Sequence, residues 1–295
     1  MPELPEVETV RRALAPLLEG RTIVEARIDD PRLVQPRDRV EAAAELLGET
    51  FAVADRRGKY LLLRLASGRV LVVHLRMTGA FVAGAAAAAD APAIPHLRAL
   101  LVLDDSSRIA FRDVRRFGTW TLLEPHEVEP YLDGRLGPEP LGSFTAAAFA
   151  QRIGARHAPV KAVLLDQKAI AGVGNIYADE ALWRASIHPL VPCADLAPAQ
   201  LRSLHRAVRA ALEAGIERQG ATLRDYRAPD GSAGGMQDEF KVYGRDGEPC
   251  LRCGGPISKI RVAGRGTHFC PRCQPAPVRL AADKASGPAA VRRPS

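Results

Sequence analysis

The spacing of apolar residues first predicts an N-terminal helix. Five apolar positions recur at helical spacing: Val7, Val10, Leu14, Leu17 and Leu18. Pro5 suits the first helical turn, and Gly20 is a plausible stop. From residue 22 to residue 123 the pattern changes to that of β structure. Two hairpins are expected there, one joining 60–65 to 70–75 and one joining 100–103 to 108–111.

Past about residue 144 the apolar spacing becomes helical again. Three helices are predicted, over 159–170, 175–186 and 198–218. Two segments show neither pattern. The Ala-rich stretch 83–93 is expected to be a flexible surface loop, and residues 275–295, rich in Pro, Ala and Arg, a disordered tail.

Composition and charge narrow the class of protein. The 295 residues are 47% hydrophobic and 25% charged, which is typical of a globular chain of about two domains. No apolar run reaches the roughly 18 residues of a membrane span, and Met1-Pro2-Glu3 begins no signal region, so a cytoplasmic protein is expected. The net charge of +7 favours a polyanionic partner such as nucleic acid, although a merely solvated basic face is an equal alternative.

Four of the five cysteines are spaced for one metal ion. They follow the pattern Cys250-x2-Cys253-x16-Cys270-x2-Cys273, and four thiolates close a tetrahedral site with no open position. The site therefore indicates one structural Zn2+, and Cys193 is left over as a partly buried thiol.

A β-hairpin is expected between the two cysteine pairs. Its strands would be 257–262 and 267–269, with Gly264-Arg265-Gly266 at the tip. An arginine there could meet phosphates or base edges in a DNA groove, or it could be a solvated turn residue.

A glycine-rich turn joins two of the predicted helices. In Gly172-Val173-Gly174-Asn175, the glycines would let backbone amides approach an anion at the start of the next helix. The alternative is a simple helix–helix turn without a ligand.

The first residues offer a nucleophile. Removal of Met1 would leave Pro2 with a free secondary amine, and an α-amino group with a pKa near 8 is about one-tenth neutral at pH 7. Such an amine can attack a sugar C1′ and form a Schiff base, with Glu3 in reach to move protons. A plain helix N-terminus with ordinary acidic residues is the competing interpretation.

A series of short motifs in a fixed order resembles one family, the formamidopyrimidine-DNA glycosylases, over essentially residues 1 to 273. The motifs are Met-Pro-Glu-Leu-Pro-Glu-Val-Glu-Thr at residues 1–9, Arg57-Gly58-Lys59-Tyr60, His74-Leu75-Arg76-Met77-Thr78-Gly79, Arg115-Arg116-Phe117-Gly118, Gly137-Pro138-Glu139-Pro140-Leu141, Gly172-Val173-Gly174-Asn175-Ile176-Tyr177, Val242-Tyr243-Gly244-Arg245 and the four cysteines.

The resemblance implies an α+β fold and a domain order. An N-terminal β-sandwich with its terminal helix would occupy 1–130, a helical helix–two-turn–helix domain 144–235, and a zinc hairpin 240–274. It also implies a monomeric, nucleoid-associated enzyme of base-excision repair that binds damaged double-stranded DNA, removes oxidised purines such as 8-oxoguanine and formamidopyrimidines, and cuts the strand by β,δ-elimination.

The resemblance further implies residue roles. Pro2 is similar to the family's Schiff-base nucleophile and Glu3 to its proton donor, while Lys59 is similar to the lysine of β-elimination and Arg265 to the arginine of δ-elimination and phosphate contact. Three residues match those that fill the hole left by an everted base, and three match DNA contacts: Met77, Arg115 and Phe117, then His96, Arg156 and Asn175.

The chain departs from the family pattern in places. Val114 stands where proline is usual and Arg76 where glycine is common, but neither change removes a catalytic group. Residues 225–237 correspond to the loop that covers the everted base, and their divergence leaves the fine substrate preference open.

Two other functions remain open at this point. One is an endonuclease VIII-like enzyme for oxidised pyrimidines. Leu4 argues against it, because leucine at this position resembles the purine branch and glycine is typical of the pyrimidine branch. The second is a non-enzymatic zinc DNA-binding protein, which explains the charge and the cysteines but leaves Pro2-Glu3 and Lys59 without a purpose.

Overall fold

The computed structural model describes residues 2–87, 93–223 and 226–276, and the chain divides into two compact units. The first unit comprises Met1–Ser143, Gln167–Gly174 and Leu212–Glu239. The second comprises Phe144–Asp166, Asn175–Ala211 and Phe240–Ser295. The part of the chain that the structure describes contains no helix with the length and apolar character needed to cross a membrane. The predicted domain boundaries stay predictions.

The predicted N-terminal helix is confirmed as α1, Leu4–Leu18. The Glu6 carboxylate, one turn in, accepts the backbone N–H of Glu3 at 2.8 Å and so satisfies a donor that the helix leaves open. The face formed by the predicted apolar residues is buried, except for a partly exposed Leu17. Gly20 follows with a φ of +79°, a left-handed conformation that glycine adopts without strain.

Two four-stranded antiparallel sheets enclose the core of the first unit. One sheet has the order β1 (Ile23–Ile28), β6 (Leu97–Leu103), β7 (Arg108–Asp113), β5 (Gly79–Val82). The other has the order β2 (Phe51–Arg57), β3 (Tyr60–Leu65), β4 (Val70–His74), β8 (Thr119–Leu123). Both predicted hairpins are confirmed, as β3–β4 and β6–β7.

Aromatic rings from both sheets meet in this core. Phe81 and Trp120 flank Phe111, with ring centroids 5.2 and 5.5 Å from it, and all three side chains are buried. Truncation of such a ring to alanine costs about 3–5 kcal/mol, so this cluster holds the sandwich together and fixes the loops at its edge.

The expectation of continuous β structure over 22–123 was wrong at more than one place, since Pro31–Val34 form a 3-10 helix. Helix α2, Arg39–Leu46, also lies within this range, because Asp38 caps the helix by accepting the N–H groups of Val40 and Glu41 and the following residues are strong helix formers. Two further helices escaped prediction, α3 (Pro125–Asp133) and α4 (Ala146–Ile153).

The Ala-rich stretch is only partly described. Residues 84–87 form a 3-10 turn, and Ala83 and Ala87 are buried, so this end is not the exposed loop expected from its composition. Residues 88–92 lie outside the described residues, as does the predicted tail from 277 onward.

The three predicted helices are present as α5 (Val160–Leu165), α6 (Asn175–Ala185) and α7 (Pro198–Glu217). Helix α5 ends five residues earlier than predicted. The Gln167 side chain then bonds to the backbone of the following loop, accepting from Gly172 N at 3.0 Å and donating to Val173 O at 2.8 Å. These bonds stabilise a non-helical path over 167–174.

The hairpin between the cysteine pairs is confirmed as β9 (Ser258–Val262) and β10 (Arg265–Phe269). Its tip differs from the prediction. Ala263 and Gly264 form the two-residue turn with φ angles of +47° and +74°, the signs that a type I′ hairpin turn requires. Arg265 is therefore the first strand residue, opposite Val262, and its side chain is exposed.

Candidate active site and metal centre

The start of α1 lies against the loop 172–174. Leu4 N donates to the Gly172 carbonyl at 3.1 Å. A Cβ on Gly172 would come within 2.5 Å of the Leu4 side chain, and one on Gly174 within 2.2 Å of Glu3 Cδ, so no larger residue fits. The glycines thus have a packing role that the phosphate hypothesis did not include. Both Pro2 and Glu3 are buried here.

Lys59 lies in the two-residue turn between β2 and β3. The preceding residue, Gly58, has a φ of +59°, and its peptide is bound on both sides. Its N–H donates to a carboxylate oxygen of Glu139, and its carbonyl accepts from Arg56 Nη1 at 2.9 Å. Arg56 and Glu139 are themselves paired at 3.0 Å. Arg56 and Glu139 thus form a clamp on the Gly58 peptide. Since Lys59 follows directly and is 4% exposed, the clamp fixes the backbone from which this buried side chain extends.

The N-terminus and the Lys59 turn approach the same segment of chain. A Cβ on Gly58 would lie 3.3 Å from Ala171 Cβ and 3.4 Å from Gly172 N. Residues 171–174 therefore contact both the N-terminal segment and the turn that holds Lys59, and Pro2, Glu3 and Lys59 are all buried.

Glu8, in helix α1, binds Arg56 and so connects the clamp to this helix. Its carboxylate binds Arg56 Nε at 3.2 Å and also accepts from Arg11 and Arg12. Burial alone would raise the pKa of Glu8, but these hydrogen bonds and the neighbouring charges lower it to about 2. Glu8 is therefore ionised at neutral pH and keeps Arg56 in place beneath the turn.

Glu6 ties the N-terminal segment to the loop after α7. Its second oxygen accepts the N–H of Ala221 at 2.8 Å, and the side chain is 2% exposed. The hydroxyl of Tyr226 donates to the Glu6 carbonyl at 3.4 Å. Tyr226, which belongs to the loop predicted to cover an everted base, is thus bound to α1. Asp225, in the same loop, lies outside the described residues.

Met77, Arg115 and Phe117 form a contiguous surface group, in which Arg115 and Phe117 are exposed and Met77 is half-buried. They come from two connections, β4–β5 and β7–β8. Arg115 Nη1 lies 3.3 Å from Met77 Sδ, and the Arg115 guanidinium carbon is 4.8 Å from the Phe117 ring centroid. Phe117 is 50% exposed, which is unusual for so large an apolar side chain.

Asp113 fixes both of these connections. It is 1% exposed, and its carboxylate accepts from the Thr78 hydroxyl, from Arg115 N at 3.1 Å and from Gly118 N at 2.7 Å. Its backbone N–H donates to the carbonyl of His96, an exposed residue with a φ of +59°. The buried carboxylate of Asp113 therefore orders the surroundings of Met77, Arg115 and Phe117, and the backbone of the same residue binds His96.

The second unit holds the other predicted contacts. Arg156 pairs with Asp166 at 2.8 Å and remains 38% exposed. Asn175, the first residue of α6, donates through Nδ2 to the Gly266 carbonyl at 3.0 Å, while its Oδ1 is buried with no hydrogen-bond donor among the described residues. Asn175 thus touches the hairpin strand that begins at Arg265.

A buried glutamate anchors the chain before the cysteines. Glu180 on α6 is fully buried, and its carboxylate accepts the N–H groups of Lys241, Val242 and Tyr243 at 3.0 to 3.1 Å. Burial raises the pKa of Glu180 despite these donors. The motif Val242-Tyr243-Gly244-Arg245 therefore starts at an attachment point of the zinc module.

The four cysteines converge as predicted. Their Sγ atoms lie within 4.8 Å of one another, with 3.9 Å between Cys250 and Cys273 and 3.4 Å between Cys253 and Cys270. A tetrahedron with Zn–S bonds of about 2.3 Å needs sulfur atoms about 3.8 Å apart, so the group fits one Zn2+. Four thiolates leave no position for water, and the site is structural.

Among the carboxylates that the sequence analysis did not single out are Glu139, Asp113 and Asp179, which pairs with Lys161. Only Glu139 carried a signal, since it stands within the motif Gly137-Pro138-Glu139-Pro140-Leu141. The other two act on residues distant in sequence or on backbone groups, and no local pattern marks such contacts.

Comparison with known protein families identifies the class of protein to which this fold and site belong. Three family models match in chain order: the formamidopyrimidine-DNA glycosylase N-terminal domain over residues 1–120, the H2TH domain of the same enzymes over 136–227, and the zinc finger found in FPG and IleRS over 247–276. The chain is an α+β protein that combines a β-sandwich, a helical H2TH domain and a zinc finger.

Whole-chain relatives agree. The formamidopyrimidine-DNA glycosylase of Symbiobacterium thermophilum is 48% identical, covering 95% of this chain and 92% of that protein, and that of Chloroflexus aggregans is 50% identical, covering 93% and 98%. A solved complex of the Lactococcus lactis enzyme with DNA containing an abasic site has a TM-score of 0.86 at 40% identity, over 93% of this chain and 100% of that one. This chain belongs to the formamidopyrimidine-DNA glycosylase family and is a DNA glycosylase.

Proposed function

We propose that this enzyme binds damaged double-stranded DNA, excises oxidised purines such as 8-oxoguanine and formamidopyrimidines, and then cuts the strand as an abasic-site lyase. The observation that carries the proposal is the convergence on residues 171–174. The Pro2-Glu3 segment and the Lys59 turn both pack against this segment, and Pro2, Glu3 and Lys59 are all buried. A non-enzymatic DNA-binding protein has no use for that arrangement.

The chemistry proceeds through a Schiff base. After removal of Met1, the lone pair of the Pro2 nitrogen attacks C1′, and the damaged base leaves with a proton from Glu3. The Pro2 nitrogen loses its proton and the ring oxygen gains one as its bond to C1′ breaks, which leaves a hydroxyl at C4′ and an iminium ion at C1′. The iminium ion acidifies the C2′ proton. Removal of that proton expels the 3′ phosphate, and a second elimination expels the 5′ phosphate. We assign Lys59 to the first elimination and Arg265 to the second.

The surface group Met77, Arg115 and Phe117 supports base eversion. An apolar side chain, a cation and an aromatic ring in mutual contact can replace both the stacking and the pairing of a base that has left the helix. His96, Arg156 and Asn175 are proposed to bind the DNA backbone. The net charge of +7 suits such a partner.

Borohydride trapping tests the enzyme class and the nucleophile together. Reduction of the imine should fix the protein covalently to its DNA, and peptide mapping should place the adduct on Pro2. Pro2→Gly, which keeps a free but primary amine, should trap less, and a chain that retains Met1 should not trap. An adduct on Lys59 with an unmodified N-terminal peptide would overturn the assignment.

A substrate panel tests the purine preference. The Lactococcus lactis enzyme has been crystallised both with Fapy-dG DNA and with DNA containing an oxidised pyrimidine, so family members are not confined to one base class. We expect excision rates on 8-oxoguanine and formamidopyrimidine duplexes to exceed the rate on an oxidised pyrimidine. The reverse order would favour the endonuclease VIII-like alternative.

A further inference from the structure

An arginine-lined cavity opens beside the surface group of Met77 and Phe117. Its volume is about 600 Å³, and both of these residues form part of its wall. The wall also contains three arginines, Arg32, Arg76 and Arg116, and none of its residues is acidic. This composition indicates a site for a ligand that has an anionic group next to an apolar group.

Only one of the three positive charges in the cavity wall is paired with a carboxylate among the described residues. Arg116 pairs with Asp30, whose side chain is 3% exposed, with Nη2 2.8 Å from Oδ1. Arg32 and Arg76 form no ion pair with any residue that the structure describes, and both are exposed. Two guanidinium groups therefore remain available to an external ligand.

The backbone at Arg76 is held in a conformation that favours glycine. Its φ is +54°, and its N–H donates to His74 Nδ1 at 2.9 Å. Burial lowers the pKa of His74 to about 3, so the ring is neutral and can accept this bond. A non-glycine residue in the left-handed region costs about 1 kcal/mol. An arginine kept there at that cost, without an ion pair among the described residues, is expected to serve a partner outside the chain.

We propose that this cavity binds a backbone phosphate of the DNA strand opposite the damaged base, through Arg76 and Arg32. The inference rests on the proposed function. If Met77 and Phe117 stand in the hole left by the everted base, the cavity they border faces a sugar-phosphate backbone. Pro2, Glu3 and Lys59, which act on the damaged strand, form no part of its wall. A guanidinium binds a phosphate through two parallel N–H donors.

The salt dependence of DNA binding tests the contact. Affinity for a duplex with a stable abasic analogue is measured over a series of salt concentrations. Arg76→Gln should lower the magnitude of the slope of log K against log salt by about 1, and the Arg32→Gln, Arg76→Gln double variant by about 2. Arg76→Lys should keep the wild-type slope. The matched control is Arg108→Gln, at the other end of β7 from Asp113, which removes the same charge and should leave the slope unchanged.

Replacing single phosphates by uncharged methylphosphonates identifies which DNA strand the arginines contact. Single methylphosphonates are placed along each strand in turn. In the wild type, one position on the strand opposite the lesion should weaken binding about tenfold, and the Arg76→Gln variant should be indifferent to that position. An unchanged salt slope, or a position found only on the damaged strand, would overturn the proposal. Borohydride trapping of the same variants reports separately on the proposed function, which stands if trapping persists.

Discussion

The ammonium of Lys161 lies 2.6 Å from Oδ1 of Asp179, and both side chains are fully buried in the second unit. The other Asp179 oxygen accepts the N–H of His268 at 2.9 Å, and Lys161 Nζ also lies 3.3 Å from the Gly266 carbonyl. The pair therefore attaches β10 to α5 and α6 at a point separate from the zinc site. The hairpin that carries Arg265 has two anchors.

We expect Asp179→Asn to lower the free energy of unfolding by about 3–5 kcal/mol, because it leaves the Lys161 charge buried without a counter-charge. The Lys161→Met, Asp179→Leu double variant should lose less, since no charge remains. Asp166→Asn is the matched control. It breaks an exposed pair with Arg156 and should cost no more than about 1 kcal/mol. Urea unfolding measures all three, and equal losses for the two asparagine variants would contradict the argument.

Cys253→Ala should release zinc and abolish DNA binding while the β-sandwich stays folded. The reason is that three thiolates no longer close the tetrahedron, and the zinc-bound end of the hairpin loses its support. Zinc content and DNA affinity report the first two effects, and urea unfolding reports whether the β-sandwich stays folded. Full DNA affinity in a zinc-free preparation would refute this role for the metal.

Cys193→Ala is the control for that experiment. Cys193 was expected to be partly buried but is completely buried, and burial raises the pKa of its thiol to about 11. It lies outside the four-sulfur cluster. Its removal should cost some stability and leave the zinc content unchanged.

The clamp on Gly58 predicts a role for Glu139 in positioning Lys59. Glu139→Ala removes both the acceptor for Gly58 N and the partner of Arg56, and a displacement of about 1 Å at a catalytic group can cost about 100-fold in rate. We expect a large loss of kcat on a preformed abasic site, with KM little changed. Glu139→Gln keeps an acceptor and should restore part of the rate. A loss confined to KM would argue against a positioning role.

Glu8 predicts a specific acid sensitivity. A carboxyl whose folded pKa is about 2 stabilises the fold fully above its unfolded pKa of 4.5, and this stabilisation disappears as the pH falls from 4.5 towards 2. Glu8→Gln should therefore lower stability at pH 7 by at most about 3 kcal/mol. The difference from the wild type, followed by urea unfolding, should shrink over that pH range. A difference that is independent of pH would show that the carboxylate charge is not the cause.

Local periodicity was sufficient for most of the elements but not for the contacts between them. Helix α1 and the hairpins β3–β4 and β6–β7 follow from spacing within the chain, and the cysteine module follows from its own spacing. Helix α2 was missed because its eight residues depend on one cap, Asp38, rather than on a long apolar pattern.

The zinc site and a nucleophile at Pro2 beside Glu3 could be proposed from the residues alone, whereas the role proposed for Lys59 came from the resemblance. The packing of the N-terminal segment and the Lys59 turn against residues 171–174 needed the fold. Asp113 and Glu139 act across 35 and 81 residues of sequence, on Thr78 and Gly58. Such pairs form only after the chain has folded, so a single sequence does not reveal them.

The last prediction separates eversion of the base from cleavage of the strand. The Met77→Ala, Arg115→Ala, Phe117→Ala triple variant removes the group proposed to occupy the vacated position in the helix. Extrusion of a paired base costs a few kcal/mol of lost stacking and pairing, and an abasic site has no base to extrude. The variant should therefore lose most of its excision of an oxidised purine, by about 100-fold for about 3 kcal/mol of lost compensation.

The same variant should retain much of its activity on a preformed abasic site, because Pro2, Glu3 and Lys59 are untouched. Single-turnover rates on the two substrates, measured under saturating enzyme, give the ratio directly. Val114→Ala serves as the control, since Val114 is 42% exposed next to Arg115 and takes no part in the group. Equal losses on both substrates would mean that these residues hold the DNA generally, and the division between eversion and cleavage would then be wrong.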